Sequence, residues 1–157
     1  MAIEIERKFL VKDDRWRQLA SVGERFQQGY LPTETRCSVR VRVCGGHAWL
    51  NIKTALGGLM KRAEFEYPIP LEDASYLLEK VCRRPLIEKT RHEVAYQGRC
   101  WEIDVFEGDN LGLVVAEVEL EDEDAPLPLP EWVGQEVTED PRYLNQNLVS
   151  CPFNSWA

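Results

Sequence analysis

The first dozen residues set a pattern that the chain repeats. Between residues 3 and 11, Glu4, Glu6 and Lys8 take every second position, and Ile3, Ile5 and Phe9 take those between. Successive side chains of a strand point to opposite faces. The alternation therefore predicts a strand with two carboxylates and an ammonium on one face and apolar groups on the other. Arg7 interrupts the apolar side and belongs at a surface edge. Similar alternation predicts strands over residues 24–31, 36–44, 47–54, 60–69, 86–96, 99–106 and 112–121. Gly45-Gly46, Gly57-Gly58 and Gln97-Gly98 supply short turns between some of them. Residues 71–81 change period: Leu71, Ala74, Leu77, Leu78 and Val81 fit one helix face. A shorter helix is expected over residues 15–20, with Asp13 or Asp14 as cap and Trp16, Leu19 and Ala20 as its apolar stripe. Residues 121–131 are acidic and Pro-rich and read as a loop. After them, Thr138 or Asp140 can cap a short helix with Pro141 in its first turn.

The expectation is a single domain over residues 1–157, mainly β with a few helices (α+β). Eight antiparallel strands can close into a barrel, although an open or split sheet fits the same string.

Charge then decides what the polar faces could be. They collect the cations Lys8, Arg40, Arg42, Lys53, Arg62, Lys89 and Arg91. They also collect the acids Glu4, Glu6, Glu64, Glu66, Glu102, Asp104, Glu117 and Glu119. One arrangement is a barrel with an apolar core and a solvated, charged outside. The inverse is a charged tunnel whose apolar faces pack outward against the helices at residues 15–20 and 71–81. Charges inside a barrel must be paired, metal-bound or ligand-bound. A set this rich in both signs suits a polyanion together with hard divalent metals, which take carboxylate oxygens. Trp49 and Asn51 share the face of Lys53 and would narrow such a tunnel or pack beside it.

Composition narrows the partners. The net charge is −8 and spread along the chain, which argues against non-specific binding to nucleic acid or an anionic membrane. No apolar run approaches the ~20 residues that span a bilayer. The five cysteines are odd in number and widely spaced, without metal-type clustering. They read as reduced thiols of a cytoplasmic protein. A homodimer stays open.

The N-terminal I-E-I-E-R-K-F-L-V resembles the E-x-E-x-K signature of the CYTH, or triphosphate tunnel metalloenzyme, family. Q-Q-G-Y-L, S-V-R-V-R, N-I-K-T, K-R-A-E-F-E-Y, I-E-K-T-R, W-E-I-D-V-F, V-A-E-V-E-L and E-V-T-E-D-P-R-Y-L-N follow in the family's order. The resemblance covers essentially the whole chain. It implies an eight-stranded antiparallel tunnel with the charged face inside. It implies Glu4, Glu6, Glu117 and Glu119 as ligands for Mg²⁺ or Mn²⁺. Lys8, Arg40, Arg42, Lys53, Arg62, Lys89 and Arg91 are implied as phosphate-binding cations, and Glu64, Glu66, Glu102 and Asp104 as further tunnel acids. Tyr30 matches the tyrosine of the Q-G-Y segment. A Lys8 nearby would favour its phenolate and let it accept a proton from water. The implied activity is metal-dependent hydrolysis of inorganic triphosphate or a small organic triphosphate. The alternatives are a class IV adenylate cyclase, a thiamine triphosphatase and a non-catalytic polyphosphate-binding module. A lipocalin-like carrier would need an apolar interior instead.

Overall fold

A computed structural model describes residues 1–34 and 36–156. It contains the strands β1 (Ala2–Val11), β2 (Glu24–Tyr30), β3 (Cys37–Cys44), β4 (His47–Leu56) and β5 (Gly58–Ile69). Helix α1 (Leu71–Tyr76) follows, then β6 (Ile87–Tyr96), β7 (Arg99–Phe106), β8 (Val114–Glu119), β9 (Val133–Glu136) and helix α2 (Asn145–Ser150). The order around the sheet is β1-β5-β4-β3-β2-β6-β7-β8 and back to β1, with every pair antiparallel. The barrel closes through β1 and β5, where Ala2–Ile5 run against Glu64, Ala63, Arg62 and Lys61. Beyond Ile5 the two strands part, and β9 takes over that edge at Phe9 and Val11.

Turn chemistry makes the hairpins. Between β6 and β7, Gln97 (φ 46°) and Gly98 (φ 78°) both lie in the left-handed region that a tight primed turn requires. Between β3 and β4, Gly45 (φ 58°) does the same work. The registers that result put charged residues opposite charged residues: Glu4 against Arg62, Lys53 against Glu64, Lys8 against Glu117, and Arg91 against Asp104. Because strand side chains alternate, one such pairing commits each whole strand. The polar faces turn into the barrel.

The apolar faces turn out and are covered from outside. Phe9, Trp101, Ile103, Ala116 and Val118 pack under Trp16, Trp132 and Val133. Val41 and Ala48 pack under Ala74 and Leu78 of the α1 region, together with Cys82. A third cluster stops one end of the barrel: Tyr30, Ile87, Phe106 and Val115 meet Val137, Tyr143, Leu148 and Val149 from the C-terminal segment. Each large side chain contributes roughly 1.5–3 kcal/mol on full burial. Stability is therefore carried by this shell and the end plug, which leaves the interior free to be polar. Gly29 shows how tightly the shell sits. A β-carbon there would lie 2.8 Å from Cys82 Cβ, where the chain leaving α1 crosses β2.

Several expectations need correction. The helix over residues 15–20 is a single 3₁₀ turn, Arg15–Gln18, without a side-chain cap bond from Asp14. Trp16 alone anchors it, while Leu19 stays 63% exposed. The helix over 71–81 is two pieces, α1 and a wider π-type turn at Leu77–Val81. The last tunnel strand is shorter than 112–121. β9 was not foreseen, since V-G-Q-E carries too little alternation. Asp140, as one of the two expected caps, accepts a hydrogen bond from Arg142 N and opens a 3₁₀ turn at Pro141–Tyr143. The other, Thr138, accepts instead from Lys8 N at 3.0 Å.

Candidate active site

Within the barrel lies a cavity of about 200 Å³ to which all eight barrel strands contribute side chains. Fifteen of the sixteen residues expected from the sequence line it, and only Asp104 does not. Asp104 is fully buried behind the wall, bonded to Lys89 Nζ at 2.7 Å and to Arg91 Nε and Nη2 at 2.8 and 2.9 Å. Burial would raise its carboxyl, but Arg91 and Lys89 reverse that and hold it below the usual carboxylate range. Asp104 thus props two cations that face the cavity.

The cavity is lined by charges of both signs. One side carries Arg40 and Arg42 from β3 and Lys89 and Arg91 from β6. Burial, with Arg40 and Arg91 close by, pushes Arg42 down to about 9. Its Nε donates to Gln28 Oε1 at 2.9 Å, and its guanidinium lies 4.5 Å from the Phe26 ring centre. Nε of Arg40 and Nε of Arg62 are buried without a hydrogen-bond partner among the described residues, as are Nε1 of Trp16 and Trp101 in the outer shell. An unpaired buried donor is costly, and the two arginines, unlike the tryptophans, line the cavity. On the other side stand Glu4 and Glu6 of β1, Glu102 of β7 and Glu117 of β8. Glu4 is neutralised by Lys53 at 2.7 Å and Arg62 at 3.1 Å. Glu6 is less well served: burial, then Glu117 and Glu4, push it up to about 8.

The acids bear on metal binding. Carboxylate oxygens of Glu6, Glu102 and Glu117 lie within 4.8 Å of one another. Three converging oxygen donors, one of them short of positive neighbours, fit a hard divalent cation. Glu119 is exposed at the rim of the cavity and is pushed up by burial and by Glu4 and Glu64. Glu64 and Glu66 accept from Asn51 Nδ2, each at 2.9 Å.

Lys8 and Tyr30 face the cavity from β1 and β2, on opposite sides of the barrel. Lys8 Nζ donates to Tyr143 O at 3.1 Å and lies 3.5 Å from Glu117. The Tyr30 hydroxyl accepts from Gln28 Nε2 at 3.3 Å. No hydrogen bond joins Lys8 to Tyr30 among the described residues. Gln28, Ser38, Asn145 and Gln146 were not foreseen. Alternation with Tyr30 and with Arg40 could have found Gln28 and Ser38. Asn145, whose Oδ1 accepts from Lys89 at 2.8 Å and Gln28 at 3.1 Å, comes from the C-terminal segment and has no periodic signal.

A closed antiparallel barrel with an ionic interior and an apolar exterior defines a tunnel that binds small polyions. The chain matches the CYTH domain over residues 2–150. An inorganic triphosphatase of Acetivibrio thermocellus is 46% identical over 156 residues, covering 99% of each chain. One from Nitrosomonas europaea is 38% identical over 151 residues, covering 93% of this chain and 96% of that one. The crystal structure of an inorganic triphosphatase superposes with a TM-score of 0.65 at 34% identity, covering 95% of both chains. This chain belongs to the CYTH domain family.

Proposed function

We propose that this protein is a divalent-metal-dependent triphosphatase acting on inorganic triphosphate. The observation that carries this reading is the ionic cavity, in which the Nε donors of Arg40 and Arg62 go unpaired among the described residues while the carboxylates of Glu6, Glu102 and Glu117 converge. The triphosphatase names of the relatives support it. The lining favours the inorganic substrate. Among the described residues Leu144 is its only aliphatic side chain and Tyr30 its only aromatic one, so they offer an adenine or thiamine ring no apolar slot.

In this reading Arg40, Arg42, Lys53, Arg62, Lys89 and Arg91 hold the phosphate oxygens, with Arg40 and Arg62 using the Nε atoms that the protein leaves unpaired. Glu6 and Glu117, with Glu102 beside them, would hold Mg²⁺ or Mn²⁺, and Glu4 and Glu119 complete the acidic side. A divalent ion held there would supply charge neutralisation and make a water more acidic. Water attacks a terminal phosphorus in line, the bridging P–O bond breaks, and orthophosphate and pyrophosphate leave. The fixed cations stabilise the charge that spreads over the transferring group. Lys8 sits where it can pair with that group. Tyr30 is the acceptor of the water's proton in this reading, a role it fills without Lys8, which stands on the opposite side of the barrel. The five cysteines, none of them in a disulfide among the described residues, accord with a cytoplasmic setting.

The test is phosphate release from inorganic triphosphate, ATP and thiamine triphosphate with Mg²⁺ or Mn²⁺, with cyclic AMP assayed on the ATP sample. Release confined largely to inorganic triphosphate supports the reading. Cyclic AMP, or binding without turnover, overturns it. Tyr30→Phe separates the proposed proton acceptor from a packing role. A proton acceptor is worth roughly 10²–10⁴ in kcat, and a loss well below that range removes Tyr30 from the mechanism.

A further inference from the structure

A second cavity, of about 220 Å³, adjoins the first at the plugged end of the barrel. Tyr30, Ser38 and Gln146 line both, so the partition between them is one side chain thick. On its far side stand Arg36 and Arg83. The Arg83 backbone N–H donates to Tyr30 O at 2.8 Å, which fixes that arginine beside the partition. Every other surface arginine of this acidic chain is ion-paired or bonded to a carbonyl. Arg36 and Arg83 have no partner among the described residues, and neither do the side chains of Ser38 and Gln146. Two unmatched guanidinium groups with a hydroxyl and an amide between them and the tunnel form a donor-rich pocket with no carboxylate among its described lining residues.

We propose that Arg36 and Arg83 form a second phosphate-binding site, outside the one that holds the reacting triphosphate. Its ligand is an inorganic phosphate group, which guanidinium forks recognise through paired N–H donors. Two sources share that chemistry. One is the phosphates beyond the third of a linear polyphosphate, with the chain displacing Gln146 from the partition. The other is the orthophosphate leaving after hydrolysis. The proposal rests on the triphosphatase reading for the tunnel itself.

The experiment compares wild type with Arg36→Ala/Arg83→Ala. Both side chains are exposed and make no contact that the fold needs, and thermal unfolding checks that the variant is intact. Three quantities are measured: kcat/KM on inorganic triphosphate, kcat/KM on a longer linear polyphosphate, and inhibition by orthophosphate. Triphosphate turnover should stay within about twofold, because exposed charges act weakly at a distance. A fall of about tenfold on the longer chain alone identifies the chain as the source. A similar weakening of orthophosphate inhibition alone identifies the product. Arg83→Lys should restore part of either effect. If neither quantity moves, or triphosphate turnover falls in parallel, the second site is refuted. Calorimetric titration of the longer polyphosphate into the metal-free proteins reads the site without turnover, so it stands apart from failure of the triphosphatase reading. There the double variant should bind the longer chain about tenfold more weakly if the chain is the source; the same titration with orthophosphate reads the other source, and equal binding of both ligands refutes the site.

Discussion

Asp104→Asn tests how the tunnel's cations are held. The carboxylate is fully buried and contacts Lys89 at 2.7 Å and Arg91 at 2.8 Å. Removing one partner of a buried ion pair costs about 3–5 kcal/mol, because the remaining charge is stranded. Two features pull the cost toward the lower end. Arg91 keeps Glu102 at 2.8 Å and Glu117 at 3.4 Å. Lys89 can shed its proton, since burial already pushes its ammonium down to about 7. The expected loss is roughly 3 kcal/mol, or a fall in Tm of roughly 6–12 °C for a chain of this size. The pH dependence follows. With Asp104 gone, Lys89 is neutral when folded but protonated when unfolded, up to its ordinary value near 10.4. The unfolded state then binds the extra proton. Wild-type Lys89 also sheds its proton near 7, so the variant should gain on wild type only as pH rises toward about 7, and above that the two should change with pH in parallel. Adding Lys89→Met should also recover much of the loss, because a buried lysine that must give up its proton to fold is replaced by an apolar chain of similar size. Thermal unfolding of the four proteins from pH 6 to 9 reads all of this as a cycle. A single variant within about 1 kcal/mol of wild type, or a double variant no more stable than the single, would refute the reasoning.

Three further outcomes are expected. Trp101→Ala should cost about 3–5 kcal/mol in urea unfolding, since this fully buried ring packs on Phe9 and Trp132 with centroids 5.6 and 5.7 Å away. Glu136→Gln should cost less than about 1 kcal/mol at neutral pH. The Arg7 hydrogen bond holds the Glu136 carboxyl below its ordinary value of 4.5, so its contribution is present above that pH and disappears as the solution is acidified through the folded value. Inorganic triphosphate at about 100 Kd should raise Tm by roughly 5–11 °C in the presence of Mg²⁺. Arg42→Ala should shrink that rise, whereas an unchanged shift would remove Arg42 from the binding set.

Much of the site was legible because strand alternation is a local property. Once Glu4, Glu6 and Lys8 share a face, no tertiary contact can separate them, and the same holds for Arg40 with Arg42 and Glu117 with Glu119. The hairpin turns were legible for the same reason. Elements that depend on distant partners were not. β9 exists because β5 departs from β1 after Ile5 and leaves an edge open. The turn at Arg15–Gln18 exists because Trp16 finds His92 at 5.2 Å. Asn145 joins the cavity only because Tyr143 and Leu148 dock into the end of the barrel.

Which face looks inward is the deeper case. A period of two is identical for a barrel with charges outside and one with charges inside, so local pattern left both open, and the family resemblance alone favoured the second. The tertiary structure decided it through closure, with β1 pairing to β5 across some sixty residues of chain. A closed barrel of eight strands has little interior volume. The indole of Trp101 and the ring of Phe9 find more partners outside, under Trp16 and Trp132, than inside. The charged faces could then meet their opposites across neighbouring strands. By itself the sequence determined which residues travel together. The fold determined that they converge, that the Nε donors of Arg40 and Arg62 go unpaired among the described residues, and that Glu6 is short of positive neighbours beside Glu102 and Glu117.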